Sequence, residues 1–88
     1  MPKSIHNDDY KIFCALLREV RERAEVSQMA LAHHMKRTQT FISAAERAEV
    51  RLDFVQIREW CLGCRTTVAK LALLFERRAK PKPHQAPD

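Results

Sequence analysis

The stretch from Ser27 to Glu46, SQMALAHHMKRTQTFISAAE, leaves this chain little choice of fold. Ser27 is placed to cap a short helix whose apolar stripe is Leu31, Ala32 and Met35. Lys36 and Arg37 break that stripe, and Thr38 then offers a second hydroxyl cap. Beyond it Ile42 and Ala45, with Phe41 beside them, form the inward side of another helix ending near Arg47. Two short helices with almost nothing between them must fold sharply on one another, and the small Ala32 lets their axes approach.

The flanks extend the helical pattern. Asn7, Asp8 or Asp9 can cap a first helix of about 9 to 24, in which Phe13, Leu16, Leu17, Val20 and Ala24 share a face. Asp53 followed by Gln56 has the form of a capping box, opening a fourth helix with Ile57, Trp60, Cys61 and Cys64 on one side. Gly63, the single glycine, marks the end of that helix, and Thr66 or Thr67 caps a fifth carrying Val68, Leu71, Ala72 and Phe75. Leu73 and Leu74 widen the fifth stripe beyond one core face. With one glycine, prolines near the ends and 45% apolar residues in 88, the chain reads as a single all-α domain of five helices. The expected division is a lead-in over 1–8, a folded domain over 9–78 and a basic tail over 79–88 that lacks periodicity. No repeat is visible.

No run of apolar residues is long enough to span a membrane and the first ten residues lack the apolar region of a signal peptide, so a cytoplasmic location is expected. Three cysteines in such a chain should remain reduced. The pair in CLGC, Cys61 and Cys64, supplies only half of a tetrahedral metal site and lies on an apolar helix face, which favours core packing; no metal or cofactor is expected. His33 and His34 are expected on the surface and Trp60 in the core. No catalytic constellation can be assembled, which argues against an enzyme. The net charge of +5 directs attention to a polyanion, nucleic acid ahead of an acidic membrane.

A capped helix pair with a three- or four-residue corner matches the helix-turn-helix, in which the second helix enters the DNA major groove. Its outward side here carries Thr38, Gln39, Thr40 and Ser43, whose donors, acceptors and methyls suit base edges. From Leu17 to Cys61 the chain resembles the lambda-repressor/Cro-like (XRE) family of bacterial and phage transcription regulators, through LREVRERAEVSQMALA, RTQTFISAAE and RLDFVQ at the family spacing. The resemblance implies that Gln28 contacts a phosphate, that Gln39, Thr40 and Ala44 face bases, and that Arg21 pairs with Glu46 to fix the first helix against the third. It also implies that Arg51 touches the DNA backbone.

Three departures carry expectations of their own. Members usually have glycine where this chain has Glu25, Lys36 and Ala48. A left-handed backbone there costs a non-glycine residue on the order of 1 kcal/mol, so these corners are either tolerated or reshaped. Arg37 stands where many members bury Val or Ile. Ala44 replaces a longer side chain and removes one base contact. Recognition then rests on Gln39, with Lys36, Arg37, Arg47 and Arg51 attracting phosphate.

The expected function is sequence-specific binding of a double-stranded DNA operator by a homodimer, with Leu73 or Leu74 at the dimer surface and repression as the outcome. Two other readings stay open. The chain could be the antitoxin of a toxin–antitoxin pair, with a protein partner, or an interaction module that has lost DNA binding.

Overall fold

The computed structural model describes residues 8–79, which form α1 (Asp8–Arg23), α2 (Gln28–Met35), α3 (Gln39–Glu46), α4 (Phe54–Gly63) and α5 (Val68–Arg78). Among these residues there is no strand. The expected lead-in and tail lie outside the described residues, apart from Asp8, which opens α1, and Ala79, which follows α5.

Helix starts follow from side-chain acceptors. Ser27 Oγ accepts from Ala30 N (3.0 Å), Thr38 Oγ1 from Phe41 N (3.1 Å) and Thr67 Oγ1 from Lys70 N (3.2 Å). Asp53 and Gln56 form the reciprocal box, Gln56 N donating to Asp53 Oδ1 (2.8 Å) and Asp53 N to Gln56 Oε1 (2.9 Å). Each cap satisfies a backbone N–H that the helix itself cannot.

The ends of α1, α2, α3 and α4 share one closure. Val26, Arg37, Glu49 and Thr66 donate their backbone N–H five residues back, to Arg21, Ala32, Ala44 and Cys61 (2.9–3.2 Å). The residue before each donor is left-handed: Glu25 (φ 60°), Lys36 (58°), Ala48 (62°) and Arg65 (59°). These are Schellman turns built without glycine. The backbone strain is tolerated at Glu25, Lys36 and Ala48 rather than relieved by reshaping. Each costs on the order of 1 kcal/mol, whereas burying one Leu or Ile contributes roughly 1.5–3 kcal/mol, so the core outweighs the corners.

Gly63 does end α4, but it is not the left-handed residue, which is Arg65. A Cβ on Gly63 would sit 2.6 Å from Leu31 Cδ1 and 2.9 Å from His34 Cδ2. The glycine lets α4 lie against α2.

The core gathers Leu16 and Leu17 of α1, Leu31, Ala32 and Met35 of α2, Ile42 and Ala45 of α3, Trp60 and Cys61 of α4, Cys64, and Leu71 of α5. Trp60 is fully enclosed, and its indole N–H donates to Leu17 O (3.2 Å). Leu74 packs against this core, whereas Leu73 is 55% exposed. A smaller cluster joins Tyr10, Cys14 and Ala48. There the Tyr10 hydroxyl donates to Val50 O (2.6 Å) and accepts from Leu52 N (3.2 Å), fastening the α3–α4 connection to α1. Arg78 Nη1 and Nη2 donate to Glu19 (2.5 and 2.8 Å), pinning the end of α5 to α1. No helix of the described residues is long and apolar enough to cross a membrane.

Candidate nucleic-acid interface

Helix α3 has two kinds of side. Ile42 and Ala45 are buried inward, while Gln39 and Thr40 are exposed and Ser43 and Ala44 half-buried. The rotation of the helix is fixed from behind by a buried ion pair. Arg21 Nε donates to Glu46 Oε2 (2.6 Å) and Arg21 Nη2 to Glu46 Oε1 (3.1 Å), and the two side chains are only 10% and 4% exposed. Arg21 Nη1 donates to Val26 O (2.8 Å), so one guanidinium joins α1, α3 and the α1–α2 turn. Its pKa is raised above the ordinary arginine value, chiefly by the hydrogen bond to Glu46, with burial opposing. A buried charge needs such full pairing to avoid a desolvation penalty of several kcal/mol.

From this anchor a hydrogen-bond chain runs to the surface. Gln28 Nε2 donates to Glu46 Oε1 (3.0 Å), and Gln39 Nε2 donates to Gln28 Oε1 (3.3 Å). Gln28 therefore sits between the ion pair and Gln39, holding the amide plane of the latter. At the other end of α3, Arg47 Nη1 donates to Ser43 Oγ, while its Nε and Nη2 pair with Glu49 (3.1 and 2.9 Å). Gln28, Gln39, Thr40, Ser43 and Arg47 together line an open polar concavity of about 270 Å³.

The other candidate residues lie around this surface rather than in it. Thr38 commits its hydroxyl oxygen to capping α3. Lys36 is exposed at the α2–α3 corner, and Arg37, also exposed, holds its guanidinium 4.1 Å above the Phe41 ring. Arg37 is thus an outward cation supported on an aromatic face, at the position where a buried aliphatic is usual. Arg51 lies 4.4 Å over the Tyr10 ring, in a groove also lined by Asp9 and Phe54, on the side formed by α1, α4 and α5. His33 and His34 are exposed. Cys61 and Cys64 are packed in the core and Cys14 in the smaller cluster; burial pushes all three thiols up, Cys64 to about 11.

Two features of the site go beyond the sequence reading. The bonds of Gln28 to Glu46 and from Gln39 place Gln28 in the support of Gln39, a role the sequence reading did not give it. The carboxylate of Glu49 on Arg47 had a signal, an acid two residues past an arginine, which becomes meaningful only once Ala48 is known to reverse the chain.

A short capped helix, a left-handed corner and a second helix held rigidly from behind with polar side chains outward define a helix-turn-helix domain. Comparison with solved structures agrees: the chain is 36% identical to an XRE-family like protein from Pseudomonas syringae pv. tomato str. DC3000, over 89% of this chain and 95% of that one, with a TM-score of 0.77. The chain belongs to the XRE family of helix-turn-helix transcription regulators. The same fold is found in the clp gene regulator ClgR from C. glutamicum (18% identity, 81% and 91% of the two chains, TM-score 0.73). It is found again in the restriction-modification controller protein C.Esp1396I, solved as a tetramer in complex with its natural 35 base-pair operator (15% identity, 81% and 93%, TM-score 0.74). No family model matches the sequence, and no curated protein matches it.

Proposed function

We propose that this protein is a sequence-specific double-stranded DNA-binding regulator of transcription, acting in the cytoplasm as a homodimeric repressor with α3 in the major groove. One observation carries the reading: Gln39 is exposed at the start of α3 yet tied through Gln28 to a buried ion pair. An amide fixed in this way is a preorganised reader. One hydrogen of Gln39 Nε2 is spent on Gln28, which leaves its second hydrogen and Oε1, the donor and acceptor pattern complementary to adenine N7 and N6.

Thr40, Ser43, Ala44 and the methyl of Thr38 complete the base-facing set. Gln28, Lys36, Arg37 and Arg51 are the phosphate contacts, and they give affinity without choice of sequence; Arg47 belongs with them by position but is paired with Glu49 in the free protein. The operator complex of C.Esp1396I, a protein of the same fold, supports both a DNA partner and assembly beyond a monomer. Leu73, the exposed large apolar residue of α5, is the residue offered to a second copy, and a two-fold pair would address half-sites about 34 Å apart. A regulator whose face is built for groove contact needs no catalytic residues.

The test is selection of bound duplexes from a random library at two salt concentrations, with sedimentation of the free protein alongside. Enrichment of a palindromic sequence and a dimer at micromolar concentration are expected. Equal recovery of all sequences at both salts would sink the proposal of sequence-specific reading, and a monomer at high micromolar concentration would sink the dimer.

A further inference from the structure

Helix residues two apart do not face each other, yet Arg47 and Glu49 form a bidentate pair. They meet because the left-handed Ala48 between them turns the chain back across the end of α3. The guanidinium is held from two sides: Ser43 Oγ accepts from Nη1, and the Glu49 carboxylate accepts from Nε and Nη2. Both side chains are more than half exposed, 55% and 57%, so the pair adds little to folding. Its position is at the rim of the polar concavity that contains Gln39 and Thr40.

We propose that Glu49 is an intramolecular competitor for DNA phosphate, occupying the Arg47 guanidinium and thereby lowering the affinity of this surface for DNA of arbitrary sequence. The inference rests on the DNA-binding reading above. A cation already neutralised by a carboxylate releases no counterion from a duplex, so its contribution to sequence-independent binding is lost. Base-edge contacts made by Gln39 and Thr40 do not depend on that charge. Each partner stabilises the charged form of the other, the Arg47 pKa being raised and that of Glu49 lowered, principally by their mutual hydrogen bond. Neutral pH therefore leaves the pair intact, and an incoming phosphate must displace a carboxylate.

The experiment measures binding of the full chain to a random-sequence duplex across a salt series, for the parent, Glu49→Gln, Arg47→Gln and the double variant. Glu59→Gln, which removes an exposed carboxylate from α4, away from the Arg47–Glu49 pair, controls for the change in net charge. Circular dichroism verifies that every variant is helical. Glu49→Gln is expected to tighten binding and to steepen the dependence of log K on log salt by about 0.9. Its advantage over the parent would then grow about threefold between roughly 0.2 and 0.05 M salt. In the Arg47→Gln background the same change should have no effect beyond that of Glu59→Gln. A Glu49→Gln effect equal to the control, or one that persists without Arg47, overturns the proposal while leaving DNA binding intact. A parent protein with no affinity for random or selected duplex at low salt overturns the underlying reading instead.

Discussion

Gln39 donates its side-chain amide to Gln28 across the α2–α3 corner, and Gln28 in turn donates to Glu46 behind it. The exposed Gln39, proposed above to read bases, and the buried ion pair are linked through Gln28 in one hydrogen-bonded chain. Substitutions along that chain should therefore have graded effects on sequence choice.

Gln39→Ala is expected to cost roughly 1–3 kcal/mol on the preferred duplex and little on random DNA. Gln28→Ala should reduce the same discrimination by less, because it frees the Gln39 amide to rotate without removing it. The two changes share one pathway, so the double variant should fall short of their sum. Competition binding with the selected and random duplexes measures all of this. Equal losses on both duplexes would remove Gln39 as a reader.

Glu46→Ala leaves the Arg21 guanidinium buried without its carboxylate and should destabilise the fold by roughly 3–5 kcal/mol, read from urea unfolding. Replacing both partners with apolar residues, as in Arg21→Met with Glu46→Leu, should recover most of that loss. It should not recover sequence discrimination, since Gln28 would still lack its acceptor. Full recovery of both properties would show that the pair acts on stability alone.

Lys36→Gly should stabilise the protein by up to about 1 kcal/mol, because Lys36 is exposed and only its left-handed backbone is at stake. Ala48→Gly should gain less, since its methyl is buried against Tyr10 and Cys14. Denaturant midpoints would rank the two. A Lys36→Gly variant less stable than the parent would mean that the lysine side chain supports the corner.

Cys64, with its thiol pushed up to about 11 by burial, should resist alkylation at pH 8 unless the protein unfolds. The raised value also sets a direction for stability. The neutral thiol is favoured in the folded chain, so its contribution is complete below the ordinary value of 9.0 and is lost as pH rises from there to about 11. Unfolding curves across that interval should show the decline, with a smaller one in Cys64→Ala. Rapid native-state labelling would contradict the buried placement.

The parts of this molecule that were legible in its sequence are those decided locally. Ser27, Thr38 and the Asp53–Gln56 box each act within one helical turn, so their positions alone announce the helix starts; at α5 the sequence left Thr66 or Thr67, and the structure uses Thr67. The inward stripe of Leu31, Ala32, Met35, Ile42 and Ala45 was equally plain, because helical periodicity and burial coincide there. Apart from the Arg21–Glu46 pair, which only the family resemblance implied, pairings that depend on how separate turns aim their side chains could not be read. Gln28 and Glu46 are eighteen residues apart and share a bond only after α2 and α3 have docked. Glu49 reaches Arg47 only through the reversal at Ala48. Gly63 marked the end of α4 correctly, but the reason for a glycine there could not be read: its missing side chain makes room for Leu31 and His34 of α2.

The separation of duties on α3 has a consequence for how this protein can vary. Ile42, Ala45 and Glu46 answer to folding, whereas the exposed Gln39 and Thr40 carry little of that burden. On the proposed reading, a lineage could exchange the outer pair and acquire a new target while its interior stayed as it was, so descendants of one scaffold could come to govern different promoters.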